Sequence, residues 1–241
     1  MKSNSVYQGL NKSKPGALAL FDPDRIPLTK VGRLTEFVCE NGVSGILVGT
    51  SLLVSPNFEK FIESVKKYSK KPVILFPGGC HQVSPHADAI FFLSMLSGRN
   101  ANFLIGEQVK AVFLVKHYHL EVIPVGYLLV ESGNYTSVEY VSNTRSIPRA
   151  KSEIALAHAL AGQYLGMKFI YLEAGSGAKN PVPKNMVAQV SKNISIPLIV
   201  GGGIRTAKTA LEIIKAGADY IVLGSIIERS KENFKKIMRS L

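Results

Sequence analysis

The chain alternates short, continuous apolar runs with longer stretches in which apolar residues recur at helical spacing. Eight runs stand out: "GALALFD" (16–22), "SGILVGT" (44–50), "PVILFPG" (72–78), "DAIFFLS" (88–94), "EVIPVGYLLVE" (121–131), "KFIYLEA" (168–174), "IPLIVGG" (196–202) and "DYIVLGS" (219–225). They are unbroken rather than alternating, as parallel strands covered on both faces require. Between them, "RIPLTKVGRLTEFVCENG" (25–42), "IALAHALAGQYLG" (154–166) and "RTAKTALEIIKAG" (205–217) read as amphipathic helices. Repeated βαβ units with eight strands in 241 residues predict a (β/α)8 TIM barrel, one α/β domain over 1–241, with a doubly wound open sheet as the alternative. After the third run, "GGCHQVSPHA" (78–87) offers only turn residues. The helix that ordinarily follows the third strand is therefore expected to be missing or replaced.

Composition narrows the class. Hydrophobic residues make up 46% and charged residues 19% of the chain, which fits a globular protein, and no apolar stretch reaches the roughly 18 to 20 residues of a membrane-spanning helix. The opening "MKSNSVYQGLNKSKPG" has no apolar middle segment of the secretory kind, so a cytoplasmic location is expected. Cys39 and Cys80 are too few and too far apart to staple a small domain and are expected as buried free thiols. Against 17 Asp and Glu stand 29 Lys and Arg, a formal charge of +12. Such a balance favours anionic partners: phosphates, nucleic acid or acidic membrane surfaces. No nucleic-acid motif accompanies the charge, and nucleic acid is not an expected partner. The lysines gather in "ESVKKYSKKP" (63–72) and "KENFKKIMRS" (231–240), which read as solvated helix faces.

In a barrel, catalytic groups collect at the C-terminal ends of the strands. The first run ends in Asp22 and Asp24, the second in Thr50 and Ser51, the sixth in "YLEAGSG", the seventh in "VGGGIR" and the eighth in "LGS". Gly201, Gly202 and Gly203, with Gly224 and Ser225 beside them, form glycine-rich turns leading to helix N-termini, a cradle for phosphate. Arg205 adds charge there or is solvated. Asp24 suits an N-cap of the first helix after strand one. Asp22 is the better candidate to hold Mg²⁺, with Ser51 as a second oxygen. Glu173 ends its strand just before Ala174, Gly175, Ser176 and Gly177, placing an acid beside a stretch with almost no side-chain bulk. His117 and His119 lack a third ligand for zinc, and His81, His86 and His158 read as structural.

Taken together, "LFDPD", "VGTS", "PVGYLLVE", "YLEAGSGA" and "IVGGGIR" resemble the geranylgeranylglyceryl phosphate synthase family from strand one to the final helix. The resemblance implies a Mg²⁺-dependent prenyltransferase. Such an enzyme joins geranylgeranyl diphosphate to the 3-hydroxyl of sn-glycerol 1-phosphate, making the first ether bond of archaeal-type lipids. It implies Asp22 and Ser51 as metal ligands and a glycerol phosphate loop of Tyr171, Leu172, Glu173, Ala174, Gly175, Ser176 and Gly177. It further implies phosphate-gripping turns at Gly202, Gly203, Gly224 and Ser225, with Glu173 accepting the hydroxyl proton. Peripheral membrane contact and a homo-oligomeric assembly are the expected associations. Two features depart from the pattern: Leu20 stands where some relatives carry a lysine, and "GGCHQVSP" is not a plain loop. Tyr127 is a candidate for lining the prenyl groove. The alternatives are a heptaprenylglyceryl phosphate synthase with a longer donor, or a phosphosugar isomerase or aldolase barrel, which would need its own acid–base pair or a lysine at a strand end.

Overall fold

The structure, a computed structural model, describes residues 5–241. Eight parallel strands close on themselves in sequence order: β1 (Gly16–Phe21), β2 (Gly45–Val48), β3 (Val73–Leu75), β4 (Ala89–Met95), β5 (Glu121–Leu129), β6 (Phe169–Glu173), β7 (Leu198–Gly201) and β8 (Tyr220–Leu223). The closing pair is β1 with β8, in register Leu18 with Val222. A closed parallel barrel, not an open sheet, is the architecture.

Around it run α1 (Val6–Lys12), α2 (Leu28–Glu40), α3 (Phe58–Tyr68), α4 (Glu107–His117), α5 (Ser137–Ser142), α6 (Ser152–Tyr164), α7 (Lys184–Ser191), α8 (Ala207–Lys215), α9 (Ser225–Arg229) and α10 (Lys231–Ser240). One turn of π-helix, Asn102–Gly106, leads into α4. No helix follows β3, and the chain passes through turns to β4, as the Gly-, Ser- and Pro-rich sequence predicts. No described helix is long and apolar enough to cross a membrane.

The continuous apolar runs are explained by two cores. Leu18, Leu47, Ile74, Phe91, Val125, Phe169, Tyr171, Ile199 and Tyr220 point into the barrel. Their sequence neighbours, among them Ala17, Ala19, Val48, Ile170, Leu172 and Val200, pack outward against the helices. α2, α3, α8 and α10 present matching apolar stripes, such as Phe58, Phe61, Ile62 and Val65 on α3, and the lysines of α3 and α10 fall on the opposite, solvated side. Lys66 pairs with Asp88 and Lys236 with Glu232. The floor of the barrel is closed by α1: Glu121 accepts bonds from Ser5 Oγ and from the N–H groups of Val6 and Tyr7, while the Tyr220 hydroxyl donates to Leu10 O. The end that α1 leaves uncovered is the one where the strands finish.

Candidate active site

A cavity of about 440 Å³ opens at the C-terminal ends of the strands. Asp22, Ser51, Glu173, Gly175, Ser176, Gly177, Gly202, Gly203, Gly224 and Ser225 all border it. Residues separated by up to 203 positions, Asp22 and Ser225, are thus gathered at one mouth by the barrel's closure. The rest of the wall is largely apolar and includes Leu20, Phe76, Phe91, Phe103, Tyr127 and Val138. An elongated apolar ligand with a charged head matches such a wall.

Glu173 occupies the end of β6. The strand's alternation sends Phe169, Tyr171 and Glu173 inward, so the carboxylate arrives at the mouth on top of two aromatic layers. It is 6% exposed, and Oε1 accepts the Gly175 N–H at 2.6 Å. Burial raises its pKa above the ordinary value, while the nearby Tyr171 hydroxyl and the Gly175 N–H pull it back. The Tyr171 oxygen is itself buried without a hydrogen bond of acceptable geometry, so its influence on the acid is that of a nearby dipole. Burial and the adjacent carboxylate push the Tyr171 phenol far up, keeping it protonated.

Two residues of the predicted loop turn the other way. The same alternation that aims Glu173 inward puts Leu172 and Ala174 into the outer core, so neither side chain borders the cavity. Tyr171 lies beneath the acid rather than on the wall.

The glycine turns differ in what they require. Gly202 and Gly203 have φ of 82° and 72°, and a methyl group at Gly202 would lie 2.6 Å from Glu173 Oε1 and 2.8 Å from Gly175 N. Their bareness follows from backbone conformation and crowding. Gly224 has ordinary negative φ, and a methyl group there would meet nothing nearer than Leu20 Cβ at 3.7 Å. Its open side faces the cavity, beside Leu20. Arg205 does not point to this space; its guanidinium donates to Ala178 O and Lys179 O and ties the loop after β6 to that after β7.

Past the end of β1, the strand next to β8, Asp22 Oδ1 accepts the Asp24 N–H at 2.9 Å, while Oδ2 lies 3.4 Å from both Thr50 Oγ1 and Arg25 Nε. Burial raises its pKa, and the Asp24 N–H and Arg25 moderate the rise. Asp24 is not the predicted N-cap: α2 begins after Pro27, and the Asp24 carboxylate instead accepts N–H bonds from Val54 and Ser55. A turn in which Asp22 O accepts the Arg25 and Ile26 N–H groups carries the chain past it. Thr50, singled out only as a strand-end residue, is the hydroxyl that contacts Asp22. Ser51 borders the cavity. Cys39 and Cys80 are free but only partly buried.

Glu107, at the start of α4, is a wall residue that the sequence reading passed over. Its carboxylate accepts from Cys80 N at 2.7 Å, from Lys110 Nζ at 2.7 Å and from Asn102 Nδ2 at 3.0 Å. Burial pushes its pKa up, but these donors outweigh it and bring it down to about 2. No described group of three or more His, Cys, Asp or Glu side chains is arranged to enclose a metal by itself.

Residues 10–241 match the PcrB family. A geranylgeranylglyceryl phosphate synthase of Pyrococcus abyssi is 46% identical over 228 residues, covering 94% of this chain and 89% of that protein. One of Flavobacterium johnsoniae is 46% identical over 215 residues, covering 89% and 88%. Among solved structures, the (S)-3-O-geranylgeranylglyceryl phosphate synthase of Thermoplasma acidophilum, in complex with substrate sn-glycerol-1-phosphate, superimposes with a TM-score of 0.91 at 37% identity, covering 98% of this chain and 96% of that one. With a match along nearly its whole length, the chain belongs to the PcrB family.

Proposed function

We propose that this chain is a prenyltransferase that joins the geranylgeranyl group of geranylgeranyl diphosphate to the 3-hydroxyl of sn-glycerol 1-phosphate, forming the first ether bond of archaeal-type lipids. The observation that carries this reading is Glu173, a buried carboxylate set among glycine turns at the head of a largely apolar cavity. Its relatives' names and the glycerol phosphate of the Thermoplasma acidophilum complex support the same assignment.

In this reading the phosphate of glycerol phosphate rests on the turns at Gly202, Gly203, Gly224 and Ser225. Gly175, Ser176 and Gly177 admit the glycerol close to the backbone. Tyr171, Leu172 and Ala174 act through their packing, which fixes where Glu173 ends. Glu173 accepts a hydrogen bond from the 3-hydroxyl and orients it. As that oxygen bonds to the first carbon of the prenyl chain, the bond from this carbon to the diphosphate oxygen breaks, its electron pair leaves with diphosphate, and the hydroxyl proton passes to Glu173. A carboxylate whose pKa is raised by burial is a stronger proton acceptor than one in water.

Asp22 and Ser51 are assigned to Mg²⁺. The donor set fits: Asp22 Oδ2 has only long contacts of 3.4 Å, and hard oxygens at a diphosphate site suit an ion that keeps most of its other positions for water and phosphate. When bound, the ion would offset charge on the departing diphosphate. The homo-oligomeric contact is assigned to the exposed apolar stripe of Ile105, Val109, Val112 and Phe113, and the cationic surface to peripheral contact with acidic lipid.

Incubating the protein with Mg²⁺, radiolabelled sn-glycerol 1-phosphate and a ladder of prenyl diphosphates tests the reaction. Ether product is expected with the geranylgeranyl donor and is abolished by chelator. Preference for the heptaprenyl donor would reassign the chain length, and absence of product with every donor would overturn the reading.

A further inference from the structure

The loop that replaces a helix between β3 and β4 is tied directly to the Asp22 side of the mouth. The ladder between β2 and β3 ends where Phe76 N–H donates to Val48 O at 2.8 Å. Beyond that point Thr50 has lost a strand partner. Gln82, from the loop, replaces it: Thr50 N–H donates to Gln82 Oε1 at 3.1 Å, and Gln82 Nε2 donates to Thr50 O at 2.9 Å. Both backbone groups of one residue are thus satisfied by one primary amide, which supplies a donor and an acceptor side by side without having to be protonated. Gln82 is fully buried. The backbones of loop and strand end also press together, since methyl groups at Gly49 and Gly78 would collide with Phe76 O and Thr50 O respectively.

The rest of the loop is held at three further points. Ser84 Oγ donates to Glu59 on α3 at 2.7 Å, Cys80 N–H to Glu107 on α4 at 2.7 Å, and Asp88 accepts Val73 N–H at 2.9 Å. Gln82 therefore sits on a fixed support rather than on a free loop. Thr50, held from behind, presents Oγ1 to Asp22 Oδ2. The same loop contributes Phe76, Gly78 and Cys80 to the cavity wall.

We infer that Gln82 is a positioning residue for the diphosphate end of the site, fixing Thr50 and through it the carboxylate of Asp22, while leaving the glycerol phosphate end untouched. This rests on the prenyltransferase reading above. Its specificity follows from place: Gln82 bonds to the end of β2, and the glycerol phosphate turns belong to β6, β7 and β8, from the last of which β2 is separated by β1.

The test compares equilibrium binding of geranylgeranyl diphosphate and of sn-glycerol 1-phosphate, measured by calorimetry with Mg²⁺, in wild type, Gln82→Leu and Thr50→Val, together with melting temperature. Gln82→Leu keeps the buried volume but removes both bonds; Thr50→Val keeps the backbone pairing and removes only the hydroxyl that reaches Asp22. Each is expected to weaken the prenyl diphosphate by about three- to tenfold, the net worth of one ordinary hydrogen bond, with glycerol phosphate affinity within about twofold of wild type. A lowered melting temperature with both affinities intact would make Gln82 merely structural and overturn the inference. Equal loss of both affinities would do the same. Should Gln82→Leu not fold, unchanged diphosphate binding in Thr50→Val is enough to overturn it. A wild type that makes no ether with any donor defeats the enzyme reading instead, and that result is separable because the wild type is assayed alone.

Discussion

Oε1 of Glu173 fills the space that a side chain on Gly202 would need, a methyl group there lying 2.6 Å from it. The acid and the turn are therefore one constructed unit, and the substitutions that probe them must be chosen to keep their effects apart.

Replacing Glu173 by Gln preserves size and the acceptor for Gly175 N–H but removes the ability to take a proton. Turnover should fall by about 10² to 10⁴-fold, the usual contribution of a positioned general base, with the KM for glycerol phosphate changed by less than about threefold. Steady-state kinetics on the purified variant decide this, and near-normal turnover would remove Glu173 from the proton transfer.

The same substitution should not cost stability at neutral pH. Because the folded-state pKa of Glu173 is raised, its contribution is most favourable below the unfolded value and is lost as pH rises through the folded one. Once the acid ionises, the wild type carries a buried charge that Gln lacks. Melting curves of both proteins should nearly coincide around pH 4 and separate toward pH 7, with Glu173→Gln higher by a few degrees, at roughly 2 to 4 °C per kcal/mol. A variant that melts lower at pH 7 would contradict the assignment of burial as the dominant influence.

Gly202 and Gly224 should respond differently. Gly202→Ala meets positive φ and the Glu173 carboxylate together, and a cost of about 1 to 3 kcal/mol is expected, visible in thermal melting as well as in activity. Gly224→Ala meets only Leu20 at 3.7 Å. Its melting temperature should stay within about 2 °C of wild type, an ordinary surface-like effect, while glycerol phosphate binds more weakly. If Gly224→Ala binds glycerol phosphate normally, the eighth-strand turn does not hold the phosphate.

Asp22→Asn removes the charge while keeping an acceptor for Asp24 N–H. Burial already disfavours the ionised form, so the variant should be at least as stable as wild type at pH 7. Turnover should nevertheless drop by roughly 10² or more, in line with loss of a charged group at a developing anion. For the wild type, kcat/KM should decline as pH falls through the raised values of Asp22 and Glu173, above the ordinary carboxylate range of about 4. An acid limb no higher than that range would show that neither carboxylate is needed ionised.

The barrel was legible because parallel strands buried on both faces leave continuous apolar runs, and the absent helix after β3 was legible because "GGCHQVSPHA" contains no helical period. Glu173 was legible for a related reason: an acid at the end of such a run has no place in either core. Leu172 and Ala174 were drawn into the site because a motif is contiguous in sequence, whereas a strand sends adjacent side chains to opposite faces. Asp24 matched the chemistry of a helix cap, but its N–H donors, Val54 and Ser55, lie 30 and 31 positions away. Gln82 carried no local signal at all. Its partner is 32 positions distant and is bonded through backbone atoms, which every residue possesses. Polar support of this kind becomes visible only once the fold brings the two stretches together.

The α1 floor binds together parts of the chain that are remote in sequence, Glu121 reaching back to Ser5, Val6 and Tyr7, and Tyr220 to Leu10 across 210 positions. Contacts of such long separation make folding slow, since most of the polypeptide must be gathered before they form. They also divide labour along the barrel axis. Weakening the floor shortens the lifetime of the native molecule and leaves the mouth's chemistry as it was, so durability and turnover are set at opposite ends and can be altered one at a time.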